Sequence, residues 1–351
     1  MEFAFTDEQR MIGETVRGFF AEHATSARTR QAMAGEGIDR ALWSAFASEL
    51  GLAGIALPET HGGTGLGMVE LAQVAEAAGA HVAALPLLGH VMVGQAIAQG
   101  GSDAQQAEWL PALCAGDLIC AATWKAEVVV AGGRLSGSFA FVPHGALADL
   151  LLVTSGDNAW IVDLKGEGVA VTPHVTMDQT RPFATIVLTA AAAEALEHGD
   201  RAISAAQTAG WICLAAEALG GAQQTLDHTV AYSRERVQFG RAIGSFQAYK
   251  HRLADMMIEI EQARSAVYWA ACAVDEASDE AALALHAAKS FAADTYFMCA
   301  GNMIQLHGGI GFTWDHDAHL FFKRARSIQT MLGDGAYHRE AIAAMVLGAA
   351  A

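Results

Sequence analysis

The fold of this chain is written most legibly in Tyr232-Ser-Arg-Glu-Arg-Val-Gln-Phe-Gly240, which runs on through Phe246-Gln247 to His251-Arg-Leu-Ala-Asp-Met256. The block joins two arginines, a Gln-Phe-Gly turn and the start of an amphipathic helix. Arginine forks match phosphate oxygens, and an aromatic ring beside a glycine turn can stack on a flat ligand ring. A second block, Gln305-Leu-His-Gly-Gly-Ile-Gly-Phe312, offers a side-chain amide and a backbone that a ligand can approach closely. The plainer alternative is a charged helix end, a glycine bend and a core phenylalanine. No single Gly-Gly-x-Gly establishes a nucleotide site.

Outward from these blocks, the chain divides into three regions. Residues 1–115 read as a helical domain. Thr6 with Gln9 resembles a capping box, and Ile12, Val16, Phe19 and Phe20 recur at helical spacing. Trp43, Phe46, Leu50 and Leu52 continue the pattern. Leu57-Pro-Glu-Thr-His-Gly-Gly-Thr-Gly-Leu-Gly67 interrupts it, either as a connecting loop or as a ligand contact, without the strand–loop–helix context of a phosphate cradle. Residues 116–195 carry short β-type runs: Glu127–Val130, Arg134–Val142, Leu150–Val153, Ala159–Val162 and Ala184–Leu188. Gly, Asp and Pro punctuate them, as in an antiparallel sheet or small barrel. Residues 196–351 return to long helices, with Leu253, Met256, Met257, Ile260 and Val267 forming an apolar stripe.

Composition narrows the function. With 351 residues, 53% of them hydrophobic, the chain can bury a large core, and only six prolines favour helix. A net charge of −17 argues against general binding to nucleic acid or an anionic membrane, because either needs a basic face. It leaves room for a small basic pocket around a phosphorylated ligand. Cys114, Cys120, Cys213, Cys272 and Cys299 form no CxxC pair and sit in apolar runs, the pattern of free thiols in a reducing compartment. The N-terminus is acidic where a signal peptide is basic, and no apolar run reads as long enough to span a bilayer. The expectation is a soluble, cytoplasmic protein.

Arg236-x-Gln-Phe-Gly, Phe246-Gln247, His251-x-Leu-Ala-Asp-Met256 and Gln305-x-x-Gly-Gly-x-Gly-Phe312 together resemble the acyl-CoA dehydrogenase family. Leu50-Gly-Leu and Pro58-Glu-x-x-Gly-Gly-x-Gly65 extend the likeness over nearly the whole chain. The resemblance implies an α+β, mostly α fold: an N-terminal helical domain, a small middle β-barrel and a C-terminal four-helix bundle. It implies FAD, an acyl-CoA substrate and assembly as a homo-oligomer. Arg236, Gln238 and Phe239 would hold the adenine dinucleotide part of a flavin bound mainly by a neighbouring subunit, and Gln305, Gly308 and Gly309 would approach the same pyrophosphate. The implied reaction is α,β-dehydrogenation of the thioester to enoyl-CoA, with electrons passed to an electron-transfer flavoprotein.

Such chemistry needs a carboxylate close to the flavin, in a dry pocket that raises its basicity. The family's Tyr-Glu-Gly-Thr sequence corresponds to Gly333-Asp-Gly-Ala336, which puts Asp334 at the glutamate position and Ala336 in place of a threonine. Aspartate is one methylene shorter, and a misplacement of about 1 Å can cost roughly a hundredfold in rate. The family's alternative base position falls at Gly210-Trp211, which has no carboxylate. Glu217 nearby reads as a structural or pocket residue, which leaves Asp334 as the candidate base.

The middle region departs further. Ala122-Thr-Trp-Lys-Ala126 and Phe141-Val-Pro-His-Gly145 replace the stretches that border the flavin ring in the resembling family. Thr123 remains a candidate flavin contact, whereas Pro143 has no N–H or hydroxyl to offer. Intact cross-interface motifs beside an altered ring pocket suit one half of a heterotetramer with a homologous subunit, as in bacterial enzymes that act on steroid side-chain thioesters. A homo-oligomer with a divergent working site is the other reading. Asp315, His316, Asp317 and His319 suggest a polar helix start rather than a metal site, for want of a third ligand pair.

Overall fold

The computed structural model describes residues 4–348. Six helices come first: α1 (Asp7–His23), α2 (Ser26–Ala34), α3 (Arg40–Ser48), α4 (Met68–Ala80), α5 (Leu87–Gly100) and α6 (Asp103–Cys114). Strands β1 (Cys120–Ala122), β2 (Val129–Ala131), β3 (Arg134–Pro143), β4 (Leu150–Ser155), β5 (Asn158–Asp163), β6 (Val169–Pro173), β7 (Phe183–Ala192) and β8 (Glu194–Ala195) follow. The chain then returns to helix in α7 (Gly199–Glu235), crosses a hairpin of β9 (Val237–Gln238) and β10 (Arg241–Ala242), and ends in α8 (Gln247–Asp275), α9 (Ala281–His307), α10 (Ala318–Thr330) and α11 (Gly335–Leu347).

The chain forms two compact units, neither continuous in sequence. One combines the N-terminal segment through Ser26, Met68–Ala83 and everything from Trp211 onward, so that α1 and α4 belong with the C-terminal bundle. The other holds Ala27–Gly67 and Ala84–Gly210, including all of β1–β8.

Local chemistry explains the ends of the first unit's helices. Thr6 and Gln9 form the capping box expected from sequence, each side chain bonding the other's backbone N–H at the head of α1. No such residue stands before α4. Its first N–H groups, on Met68 and Val69, instead donate to the Asp275 carboxylate at the end of α8, at 2.7 and 3.0 Å. That bond ties together positions about two hundred residues apart and satisfies donors a helix start otherwise leaves open.

α4 and α7 touch through glycine. A Cβ on Gly79 would lie 2.1 Å from the Glu217 carbonyl oxygen, and one on Gly220 would lie 1.8 Å from that of Glu76. The two backbones are in contact, and only glycine fits. α7 itself, at 37 residues, is long and apolar enough to cross a bilayer, contrary to the sequence expectation, but most of its apolar window is buried in the fold. It is a core helix.

In the second unit the strands make two four-stranded sheets, ordered β1-β4-β5-β8 and β2-β3-β7-β6, and every pairing but β1–β4 is antiparallel. The expected barrel is therefore not closed. Edge strands β1 and β8 run only three and two residues, too short to carry a ladder from one sheet into the other. Leu151, Val153 and Val162 of one sheet pack with Leu135, Phe139, Ile186 and Leu188 of the other in a shared apolar core. All five cysteines are free thiols, four of them buried.

The glycine contact predicts opposite outcomes at two helical glycines. Gly220→Ala forces a methyl into the Glu76 carbonyl and should destabilise the protein by about 1–3 kcal/mol. Gly18→Ala, where a Cβ meets open space on α1, should stabilise it by up to about 1 kcal/mol. Thermal melts of the two variants check the sign of each.

Candidate functional site

α7 ends at Glu235, and the next residues fold into the smallest possible antiparallel ribbon, with Val237–Gln238 paired to Arg241–Ala242. The two residues at its tip, Phe239 and Gly240, both have positive φ (53° and 76°). Glycine adopts this two-residue turn freely, but a phenylalanine there is held at a cost of about 1–3 kcal/mol. Phe239 gains nothing from the strain within this chain, for its ring is 92% exposed and meets only the edge of Phe246, at 6.1 Å. Arg236 and Gln238 are exposed beside it. Strained backbone, a presented aromatic ring and an exposed guanidinium describe a surface shaped for something outside the chain.

The Gln305–Gly309 turn is held against this hairpin's base. The Tyr232 hydroxyl donates to the His307 carbonyl (3.3 Å) and the Tyr249 hydroxyl to the Leu306 carbonyl (3.2 Å), satisfying two acceptors at the end of α9. Burial, and Tyr232 beside it, push Tyr249 up to about 12, so it stays a neutral donor. His307 is buried, stacks on Tyr232 at 4.4 Å and is pushed down to about 4 by burial. It packs the turn as a neutral ring. Gly308 has φ 63° and ψ −140°, a conformation open to glycine. A Cβ on Gly308 or Gly309 would meet nothing within 4 Å, whereas one on Gly311 would lie 2.7 Å from the Ile304 carbonyl oxygen. Gly311 is thus required by the chain's own packing, while Gly308 and Gly309 leave open backbone that a diphosphate can approach. The residues fit the pyrophosphate and adenine end of FAD. The structure brings Arg236, Gln238, Phe239, Gln305, Gly308 and Gly309 into one unit.

Asp334 lies elsewhere in that unit, between α10 and α11. It is exposed, and its carboxylate accepts the Tyr337 N–H at 2.9 Å as the N-cap of α11. That bond, with others from the same helix start, holds its pKa below the ordinary carboxylate value. A dry, raised-pKa base is the opposite condition. The loop before it is clasped from within. The Trp211 indole donates to the Leu332 carbonyl at 2.8 Å, and the buried Lys289 ammonium to the Ile328 and Gly333 carbonyls at 3.1 and 3.3 Å. Burial lowers Lys289 to about 8. His286 and His338 share a 2.8 Å Nδ1–Nδ1 contact beside Trp211, and burial drives His338 down to about 3. Behind them Glu217 forms a buried ion pair with Arg324. Its carboxylate is committed to that pair.

Thr123 belongs to the other unit. It is buried at the end of β1, where its hydroxyl donates to the Leu152 carbonyl (3.3 Å) and accepts the Thr154 N–H (3.2 Å). Phe141 sits on a register shift of the β3–β7 ladder with φ 57° and its ring exposed, and Pro143 closes β3. Sequence reasoning missed the Trp211 clasp, Lys289, Arg324 and the His286–His338 pair. Lys289 and Arg324 carried one available signal, a lone cation in an otherwise apolar helical phase. Among the other discounted groups, His316 accepts the Ala318 N–H at 3.1 Å, the polar helix start expected of it. The glycine loop at 57–67 folds on itself: a Cβ on Gly63 would lie 2.2 Å from the Leu57 carbonyl oxygen, and Thr64 donates to the Ile55 carbonyl.

Residues 6–117 match the acyl-CoA dehydrogenase N-terminal domain, and residues 197–347 match the acyl-CoA dehydrogenase C-terminal domain. The chain is 32% identical to acyl-CoA dehydrogenase IpdE2 of Mycolicibacterium smegmatis, over 93% of this chain and 95% of that one. Its structure resembles that of the steroid ACAD Tcur3481-Tcur3483 (G363A variant), with TM-score 0.90 and 32% identity, covering 97% and 98% of the two chains. It also resembles the ChsE4-ChsE5 complex of Mycobacterium tuberculosis, with TM-score 0.92 and 29% identity over the full length of both chains. The chain belongs to the acyl-CoA dehydrogenase family. It is an FAD-dependent oxidoreductase acting on CH–CH bonds.

Two stability predictions follow from the buried polar groups. Arg324→Met strands the Glu217 carboxylate and should cost about 3–5 kcal/mol, part of it restored by adding Glu217→Gln. His338 is held far below its unfolded value of 6.5, so its contribution is complete above pH 6.5 and is lost as pH falls toward about 3. His338→Asn should flatten the acid limb of a melting-temperature profile by about one proton, or about 1.4 kcal/mol per pH unit.

Proposed function

We propose that this chain is the flavin-gripping subunit of a heteromeric acyl-CoA dehydrogenase, in which a homologous partner supplies the catalytic carboxylate. The observation that carries this reading is the state of Asp334, an exposed helix cap with a lowered pKa, set against the presented Arg236–Phe239 hairpin. Thr123, with its hydroxyl engaged inside the sheet, makes the same contrast.

In this reading Arg236 pairs with the FAD pyrophosphate, Gln238 donates its amide to the dinucleotide, and Phe239 covers the adenine end. Gln305 and the open backbone of Gly308 and Gly309 close on the same diphosphate. Bound FAD supplies the hydride acceptor for α,β-dehydrogenation of the acyl-CoA to its enoyl-CoA. The Trp211 indole and Lys289 keep the Leu332–Gly333 loop in one conformation, so that side of the chain serves as a wall. The two-chain ChsE4-ChsE5 complex and the steroid ACAD among its likenesses support a heterotetramer and a bulky thioester such as a steroid side chain. An electron-transfer flavoprotein is the proposed acceptor, and the free thiols fit a cytoplasmic setting.

Asp334 as base and Thr123 as ring contact, in a homo-oligomer, is the reading this one displaces, and the two separate by colour. The chain purified alone should be colourless, and should gain a flavin spectrum bleached by acyl-CoA only with its homologous partner. In that assembly Asp334→Ala should leave bleaching unchanged. A yellow homo-oligomer whose bleaching is lost with Asp334→Ala contradicts the proposal. Phe239→Gly should raise the melting temperature of the chain alone by relieving the turn, yet weaken flavin retention in the assembly. Arg236→Ala should weaken retention about 10–100-fold, the worth of one charged hydrogen bond.

A further inference from the structure

On the first unit, Phe5 and helices α1, α4 and α8 line a cleft open to solvent, with a volume of about 710 Å³, within the range of pockets that hold drug-sized ligands. None of the flavin-gripping residues lines it. Its walls are aromatic: Phe5 meets Tyr268 edge to face at 4.8 Å, and Trp269 lies beside them. Its polar floor is already neutralised. Glu76 accepts from the Arg264 guanidinium and from the Tyr268 hydroxyl, each at 2.5 Å, and Arg264 also donates to Gln223 at 2.9 Å.

Arg17 is the cation left over. It lines the cleft and has no ion-pair partner among the described residues. Gly13, one turn earlier on α1, makes room for it: a Cβ there would lie 3.1 Å from an Arg17 guanidinium nitrogen. A glycine inside a helix costs up to about 1 kcal/mol relative to alanine, and this one clears the space in which the guanidinium lies. With Glu76 bonded to Arg264, which also pairs with Glu261 at 3.4 Å, Arg17 is the lining cation without an ion-pair partner among the described residues, in a chain of net charge −17.

We infer that this cleft binds a monoanionic carboxylate with a flat, multi-ring apolar body. The ring system lies among Phe5, Tyr268 and Trp269, and the carboxylate pairs two-pronged with Arg17. A neutral analogue keeps the stacking and loses the ion pair. A dianion brings a second charge with no free donor to meet it, because Arg264 and Tyr268 already donate to Glu76, whose own carboxylate would repel it.

The probes are 2-naphthoate and its neutral counterpart 2-naphthylmethanol, titrated calorimetrically into the FAD-loaded native assembly. Naphthoate should bind saturably, and Arg17→Gln should weaken it about 10–100-fold while leaving naphthylmethanol unchanged. Ser265→Trp, which fills the cleft from an exposed helical position, should abolish binding of both. Absence of saturable naphthoate binding, an Arg17→Gln variant that binds it as tightly as wild type, or protection of Arg17 by a neighbouring subunit in the native assembly would each overturn the inference.

Discussion

The end of α9 is where the demands on this fold converge. A helix terminus leaves carbonyl groups without donors, and an unsatisfied carbonyl is costly wherever water is excluded. Two tyrosines answer it, Tyr232 from the last turns of α7 and Tyr249 from the first of α8. Because those residues flank the β9–β10 hairpin, satisfying α9 also fixes where the hairpin stands relative to the Gly308–Gly309 turn. One hydrogen-bonding requirement thereby places a guanidinium, an amide, a strained aromatic ring and open glycine backbone in one unit.

The contrast with the Leu332–Asp334 loop is electrostatic. At the hairpin, polar groups are exposed and available. At the loop they are inward and committed, with an indole on Leu332, an ammonium on Ile328 and Gly333, and the Asp334 carboxylate on its own helix. A proton acceptor works best when its charged form is poorly solvated. Asp334 has backbone N–H groups and open solvent instead, and that environment makes a good cap and a weak base. The two ends of the same unit are specialised in opposite directions.

Much of this was legible in the sequence, for identifiable reasons. The Thr6–Gln9 box, the long helices and five of the strands follow from capping chemistry and periodicity, which act over a few residues. The positions proposed to grip the flavin could be picked out in the sequence because the chemistry they offer is local, with arginine, glutamine, phenylalanine and glycine within five residues. Closure of the barrel was not, because it depends on edge strands of two and three residues that carry no pattern; β1 and β8 escaped notice for that reason, and β6, although five residues long, is exposed almost throughout and shows no alternation. The Trp211–Leu332 bond joins positions more than a hundred residues apart, and Asp275 reaches α4 across a still longer gap. Nothing in either local sequence marks them. The state of Asp334 was illegible for a subtler reason: resemblance assigned its position, but whether a carboxylate caps a helix or faces a substrate is decided by a rotamer.

On the proposed reading, this chain holds a flavin belonging to its neighbour and has no complete flavin site of its own. The most direct measurement is the ratio of FAD to protein in the purified native assembly, from flavin absorbance and amino-acid analysis. One FAD for every two chains, one of them this protein, is the predicted result. One FAD per chain would contradict it.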